Sequence, residues 1–424
     1  MRDITANNQK PGWIKYLEYL EKLPPIYKNL PQLSIEERDQ RWKRIRGEML
    51  LWGLDCLLVW GSDAQFGLTD VNFRYVTAIP ATTGRCLAVF PLKGDPIAFV
   101  GTEHNHYEGA SFTWVSDVRI FPSADDVIKI VKEMGFERCK IGLVGDMHHF
   151  WPFILQYHIW ADVQKGLPEV NFIDAAPLLW GLEMIKSPEE IKFLEEAGRI
   201  AGLVYKALVK IVRPGVKECE VYANILQAMV SNGAEPNGMI LIDSGNPVLA
   251  HPRYPPPTNR RLEKGDIFIT EYHTKYAGYQ THTERSVSIG KPQKESMEIY
   301  EVCKEAYYAG LEKMKPGVSF REAVEALRAP VYKVGMEGVE CGFHAHGITS
   351  AGFPSFIKSD DHLDEIESIT IKENMVFTNQ IDLFNPKWPK GGGMILGDSF
   401  LVTKDGPRVF VDIPLELAIV LPME

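Results

Sequence analysis

Two stretches in the second half of the chain share one turn. IVRPGVKECEV (211–221) and KMKPGVSFREAV (313–324) each carry Pro-Gly-Val between two helical patterns. A turn repeated between like elements marks an internal duplication. It predicts two similar αβ halves facing each other, with a ligand cleft between two curved sheets. Two matches this short also arise by chance, so the duplication is an expectation for the structure to test. A second signal sets where this region starts. Residues 184–202 read MIKSPEEIKFLEEAGRIAG. Ser187 suits an N-cap, Pro188 the first helical position and Glu190 the third. The domain change is placed just before this helix, giving domains of 1–183 and 184–424.

A chain of 424 residues suits two domains. With 45% hydrophobic and 24% charged residues, each can bury a core without disulfide or metal staples. Ser34 followed by Glu37 predicts a capped helix up to residue 53. Strand-like runs follow at 56–60, 85–90, 96–100 and 140–144, with a helix near 124–135. That alternation predicts an α/β first domain. Residues 1–35, with Trp13, Tyr16, Tyr19, Pro24, Pro25 and Tyr27, read as an arm packed on the body or on a partner subunit. The net charge of −10 argues against a nucleic-acid binder with a broad basic surface, but leaves anionic small substrates open. No run approaches the 18 or so apolar residues of a membrane span, and no secretory leader is visible. Six cysteines at 56, 86, 139, 219, 303 and 341 form no CxxC, so reduced thiols in a cytoplasmic protein are expected.

Four segments carry the polar residues that could do chemistry. His251 lies in the proline-rich loop SGNPVLAHPRYPPPTNRRLEKGD (244–266). GDIFITEYHTKYAGYQTHTERSVSIG (265–290) reads as a β-hairpin turning at Tyr276-Ala-Gly. It holds Glu271, His273, His282, Glu284 and Arg285, and in an extended strand His282 and Glu284 share a face. CGFHAHGITSAGFPSF (341–356) puts His344 and His346 two residues apart. NMVFTNQIDLFNPKWPKGGGMILGDSFLVT (374–403) reads as two strands around a Gly/Pro loop, with Gln380, Asp382 and Asp398 as polar candidates.

The order of these segments, over roughly 187–403, resembles family M24, which holds creatinase, prolidase, aminopeptidase P and methionine aminopeptidase. The resemblance implies a pita-bread domain of pseudo-twofold αβ halves behind a creatinase/prolidase-type α/β domain, an α+β chain overall, as a homodimer. Its metal-using members carry two hairpin aspartates, a histidine before a glycine and two late glutamates. By position these fall on Glu271 and His282, eleven residues apart, on His346, and on Gln380 and Gly397. Four of the five ligand types differ, so the standard dinuclear site is not expected: two divalent charges need more carboxylates than this. The motifs are closest to metal-independent creatinase. Glu284-Arg285-Ser286 resembles its Glu-Arg-Thr, and Ala250-His251-Pro252 its Ala-His-Asn. Gly84-Arg85 resembles its carboxylate-binding Gly-Arg, and an arginine fork suits a carboxylate.

The resulting expectation is a creatinase-like hydrolase of a C–N bond in a small, carboxylate-bearing, non-peptide substrate. His251 is the general base and then acid, Glu284 orients or stabilises a cationic group, and His346 polarises the heteroatom. Arg85, Gln380 and His282 bind substrate, in a homodimer with the site near the subunit interface. No cofactor is expected, with neither nucleic acid nor membrane as partner. The alternative is a metal-dependent Xaa-Pro peptidase or small-zwitterion lyase, with one Zn, Fe or Mn on Glu271, His282 and His346 and an added oxygen from Asp382 or Asp398. A third reading is a non-catalytic pita-bread binding module.

Overall fold

Ser34 caps helix α1 (Ile35–Trp52), its side chain accepting from the Glu37 N–H at 3.0 Å. Glu37 does not return the bond. It is buried against Arg41 at 2.9 Å, so an ion pair one turn on replaces half of the expected capping box. The computed structural model describes residues 30–62, 70–80, 85–101, 112, 114–120, 123–145, 157–236, 238–253, 256–350, 352–358, 369–388 and 390–421, together with Lys15 and Tyr19. Most of the aromatic N-terminal arm lies outside the described residues. The chain divides into two units, Met1–Leu179 and Trp180–Glu424.

The first unit runs β1 (Cys56–Ser62), α2 (Val71–Thr77), β2 (Arg85–Pro91), β3 (Ile97–Val100), β4 (Asp117–Ile120), α3 (Ala124–Glu133), β5 (Lys140–Val144), α4 (Tyr157–Gly166) and β6 (Asn171–Asp174). Its six strands order as β4-β3-β2-β1-β5-β6. Leu58, Val89 and Ile141 meet Val127, Val131 and Val163 of the helices in one core. Every strand read from apolar runs is present. The two that were not read, β4 and β6, are four-residue strands without a fully buried residue, so no apolar run marks them. Arg85 opens β2, opposite Ser62.

The second unit follows α5 (Ala176–Glu183). Ser187 and Glu190 exchange both bonds of a capping box at the start of α6 (Pro188–Ile211). Then come α7 (Glu218–Ser231), β7 (Ile240–Gly245), β8 (Ile267–Tyr276), β9 (Tyr279–Ile289), α8 (Lys294–Lys313), α9 (Phe320–Lys333), β10 (Glu337–Ala345), β11 (Gly352–Phe356), β12 (Val376–Phe384), β13 (Gly393–Ile395), β14 (Gly397–Thr403), β15 (Gly406–Val409) and β16 (Ala418–Val420). Seven strands run β11-β10-β12-β14-β9-β8-β7, with β13, β15 and β16 attached.

The repeated turn is a structural repeat. Gly215 and Gly317 adopt φ of +88° and +90°, a region that glycine enters without strain. Gly215 N–H bonds Leu262 O at 2.8 Å, and Leu262 N–H returns to Val216 O. In the second copy Gly317 N–H bonds Ile371 O at 2.9 Å, and Ile371 N–H returns to Val318 O. Glu218 and Phe320 then start the following helices with bonds to Arg260 O and Ile369 O. Each half is thus helix, Pro-Gly-Val turn, helix and sheet.

Alternation along the strands gives the sheet two unlike faces. Tyr272 on β8 reaches helix α6, its hydroxyl donating to Ala201 O at 3.2 Å. Phe343, Phe377 and Phe400 cluster with Phe320 of α9. The residues between them in sequence point to the opposite face, and there the polar groups collect.

Candidate active site

Strand register decides which side chains meet. β8 and β9 pair Glu271 with Glu284 and His273 with His282, and directly opposed residues share a face. The turn between the strands is Ala277-Gly278, both at positive φ, which matches the twist a two-residue hairpin needs. β14 sets Gly397 opposite Glu284. β10 and β12 pair Glu340 with Asp382, Gly342 with Gln380, and His344 with Thr378. One face of the sheet therefore gathers Glu271, His273, His282, Glu284, Glu340, His344, Gln380 and Asp382. His346 follows at the end of β10. Toward the start of β8, Ile267 and Ile269 carry the same face into the apolar core.

Four imidazoles pack together. The rings of His273 and His282 stack at 4.6 Å between centroids, and His344 and His346 each lie 5.4 to 6.0 Å from His282. All four are buried, and burial, with neighbouring histidines as a further cause for His273, His344 and His346, holds their pKa values down. Burial favours the neutral form of each ring, and a neutral imidazole carries one lone pair. His346 Nδ1 donates to the Gln280 carbonyl at 2.8 Å, which leaves the lone pair on Nε2. His273 Nε2 donates to Glu271 Oε1 at 2.7 Å, which leaves its lone pair on Nδ1. Neither ring nitrogen of His282 has a hydrogen-bond partner among the described residues.

The carboxyl groups are crowded. Burial disfavours the Glu271 anion, but His282 and the bond from His273 hold it near a pKa of about 2. Burial and the Glu271 charge push Glu284 up to about 8, and burial pushes Glu340 up to about 7. Asp382 is raised well above the carboxylate range by burial, then by Glu284 and Glu340. Donor atoms converge within 4.8 Å in three triplets: His273–His282–His346 and Glu271–His282–Glu284, which share His282, and a separate His251–Glu340–Asp382.

His251 reaches this face from its loop. Its Nδ1 meets Asp382 Oδ2 at 2.6 Å, with His251 23% exposed and Asp382 fully buried. Two residues on, Arg253 pins the loop to Asp243 and, at 3.0 Å, to Glu218, which also accepts from Ser244 at 2.6 Å. A bidentate guanidinium clamp of this kind holds backbone position.

Asp398 does not join the polar face. It pairs with Arg285 at 2.8 Å and accepts from the Tyr307 hydroxyl at 3.2 Å, on the side covered by helix α8. Because it alternates with Gly397 and Ser399, its strand position excludes it from the cation oxygens. Gln380 is buried on the polar face opposite Gly342. Arg85 belongs to the first unit, at the start of β2. Reading the sequence gave no role to His273, His344 or Glu340. Alternation from Glu271 and from His346 was signal enough for the two histidines. Glu340 was hidden by a register shift between Gly338 and Glu340, which no run of residues announces.

Two family models match the chain. That for metallopeptidase family M24 covers residues 192–404, and that for the creatinase/prolidase N-terminal domain covers 41–185. A Bacillus subtilis protein described as uncharacterized peptidase YqhT is 25% identical over 368 residues, covering 85% of this chain and 96% of its own. The ectoine hydrolase of Halomonas elongata is 22% identical over 421 residues, covering 92% and 99%. Among solved structures, the prolidase from Pyrococcus horikoshii OT3 superposes with a TM-score of 0.73 at 23% identity, covering 89% of this chain and 99% of its own, a likeness of fold. No described helix is long and apolar enough to cross a membrane.

Proposed function

Because the chain belongs to metallopeptidase family M24, we propose that it hydrolyses a C–N bond in a small, carboxylate-bearing, non-peptide substrate. The observation that carries this reading is the His251–Asp382 pair at 2.6 Å. With Asp382 ionised, the imidazole keeps Nδ1–H toward Asp382 and Nε2 for proton transfer. His251 takes a proton from water as the water oxygen bonds to the scissile carbon. It then gives that proton to the leaving nitrogen as the C–N bond breaks. Glu284, across the face, orients the reacting group. Gln380 and His282 line the same face as substrate contacts. A homodimer with the site near the subunit interface is part of the same reading.

A resident cation fits this face. Glu271 Oε2, His282 Nε2 and His346 Nε2 are buried and have no hydrogen-bond partner among the described residues. Orphaned lone pairs in a dry site carry a desolvation cost that a cation removes. The absence of a cofactor that the motifs suggested has no support here; one Zn, Fe or Mn is compatible with the donors. Glu271 and His282 would hold it, while His346, the third ligand expected from sequence, converges with His273 and His282 and not with Glu271. Once bound, the cation supplies Lewis-acid polarisation of the substrate heteroatom. This changes the role of His346. With Nδ1–H committed to Gln280 O, Nε2 offers a lone pair and cannot donate to a heteroatom.

The test is His251→Ala on a panel of amide, amidino and Xaa-Pro dipeptide substrates. Turnover should fall by about 10²- to 10⁴-fold with the melting temperature held. Unchanged turnover would exclude His251 as the acid/base. A second reading, a metal-dependent Xaa-Pro peptidase, draws on relatives named as peptidases, and turnover confined to the dipeptides would favour it.

A further inference from the structure

The family resemblance places a late glutamate at position 397, where this chain has Gly397. A Cβ built at Gly397 would lie 2.6 Å from Glu284 Oε2, and would also meet the Asn379 carbonyl. Gly397 and Glu284 are directly opposed across β14 and β9. The carboxylate of Glu284 therefore fills the volume over Gly397 that a side chain at 397 would enter. A carboxylate absent from one strand is present from the strand beside it, with the glycine making room.

The rest of Glu284 faces ligand atoms. Oε1 lies 3.3 Å from His282 Nε2, which is itself 3.8 Å from Glu271 Oε1. His282 is 1% exposed, and both its ring nitrogens lack partners among the described residues. Ligands about 2.1 Å from a tetrahedral cation stand roughly 3.4 Å from one another. The observed separations match that spacing. A substrate ammonium or guanidinium is the rival occupant, but its hydrogen bonds of about 2.9 Å hold acceptors farther apart.

We propose that Glu284 is a cation ligand, completing with Glu271 and His282 a site for one divalent ion. The proposal rests on the cation reading above, and it names a ligand that the family pattern does not. Two carboxylates with a neutral imidazole balance a charge of +2 and suit Zn²⁺ or Mn²⁺.

The experiment is equilibrium dialysis of the stripped full-length chain against Zn²⁺ or Mn²⁺, with bound metal quantified by atomic emission and melting followed in parallel. The wild type should bind about one equivalent and melt higher when loaded. Glu284→Gln should weaken binding by at least about tenfold while keeping its metal-free circular dichroism spectrum. Glu340→Gln, at a half-buried carboxylate in the same field but outside the proposed ligands, should bind within about threefold of wild type, because a purely electrostatic effect would weaken both. If Glu284→Gln does not fold, Glu284→Asp takes its place and should show an intermediate loss. Equal weakening in both variants, or wild-type affinity in Glu284→Gln, would overturn Glu284 as a ligand and leave the cation reading standing. A wild type that binds neither ion would overturn both, while the His251 experiment still judges the hydrolase on its own.

Discussion

The two faces of the ten-stranded sheet treat buried charge in opposite ways. On the helix-covered face Arg285 donates to both Asp398 oxygens, at 2.8 and 3.1 Å, and to the Gly397 carbonyl, while Tyr307 adds a further donor. Charge there is paired, although Arg285 Nε has no partner among the described residues. On the other face Glu271, His282, His344 and His346 each keep a buried polar atom without a partner among the described residues. One strand supplies both patterns: Asp398 is part of the fold's framework, and its neighbour Gly397 leaves room for Glu284. Satisfied polar groups mark what holds the sheet together. On the polar face the unsatisfied atoms lie where ligand donors converge, and that combination marks a place for a ligand.

The comparison breaks most sharply at the satisfied pair. Asp398→Ala strands the Arg285 charge and should destabilise the second unit by about 3–5 kcal/mol, read by urea denaturation. A loss under 1 kcal/mol would mean the pair is not the framework described. Gly397→Ala places a methyl against Glu284 and the Asn379 carbonyl, and overpacking of this kind should cost about 1–3 kcal/mol. Neutral stability in that variant would show that Glu284 does not fill the space over Gly397. Tyr307→Phe removes one hydrogen bond to a charged acceptor and should cost about 1.5 kcal/mol. The smallest effect runs the other way. His344→Leu replaces a buried imidazole whose Nδ1 has no partner, and should stabilise the metal-free protein by about 1 kcal/mol. A destabilised His344→Leu would make that face structural too.

Much of this was legible in the residues. Ser187, Pro188 and Glu190 announced α6 because a capping box is a local signal, and the two Pro-Gly-Val turns announced the duplicated halves. Glu271, His282, Glu284 and His346 were found as candidates because the hairpin and its turn are local as well. What escaped notice depends on pairing between distant strands. The bond from His251 to Asp382 spans 131 positions, and Glu340 reaches Asp382 only through a shifted register. Asp398 looked like a possible oxygen ligand until alternation along β14 placed it behind the sheet with Arg285. Sequence spacing cannot show that Glu284 covers Gly397, because the two meet across strands.

The contrast between the faces comes down to whether the orphaned donors converge on a cation. The most direct measurement is anomalous diffraction at the zinc edge from crystals of the full chain soaked in Zn²⁺. The account predicts one peak on the polar face, about 2.0–2.2 Å from oxygens of Glu271 and Glu284 and from a ring nitrogen of His282. A peak elsewhere, or none on that face, would contradict it.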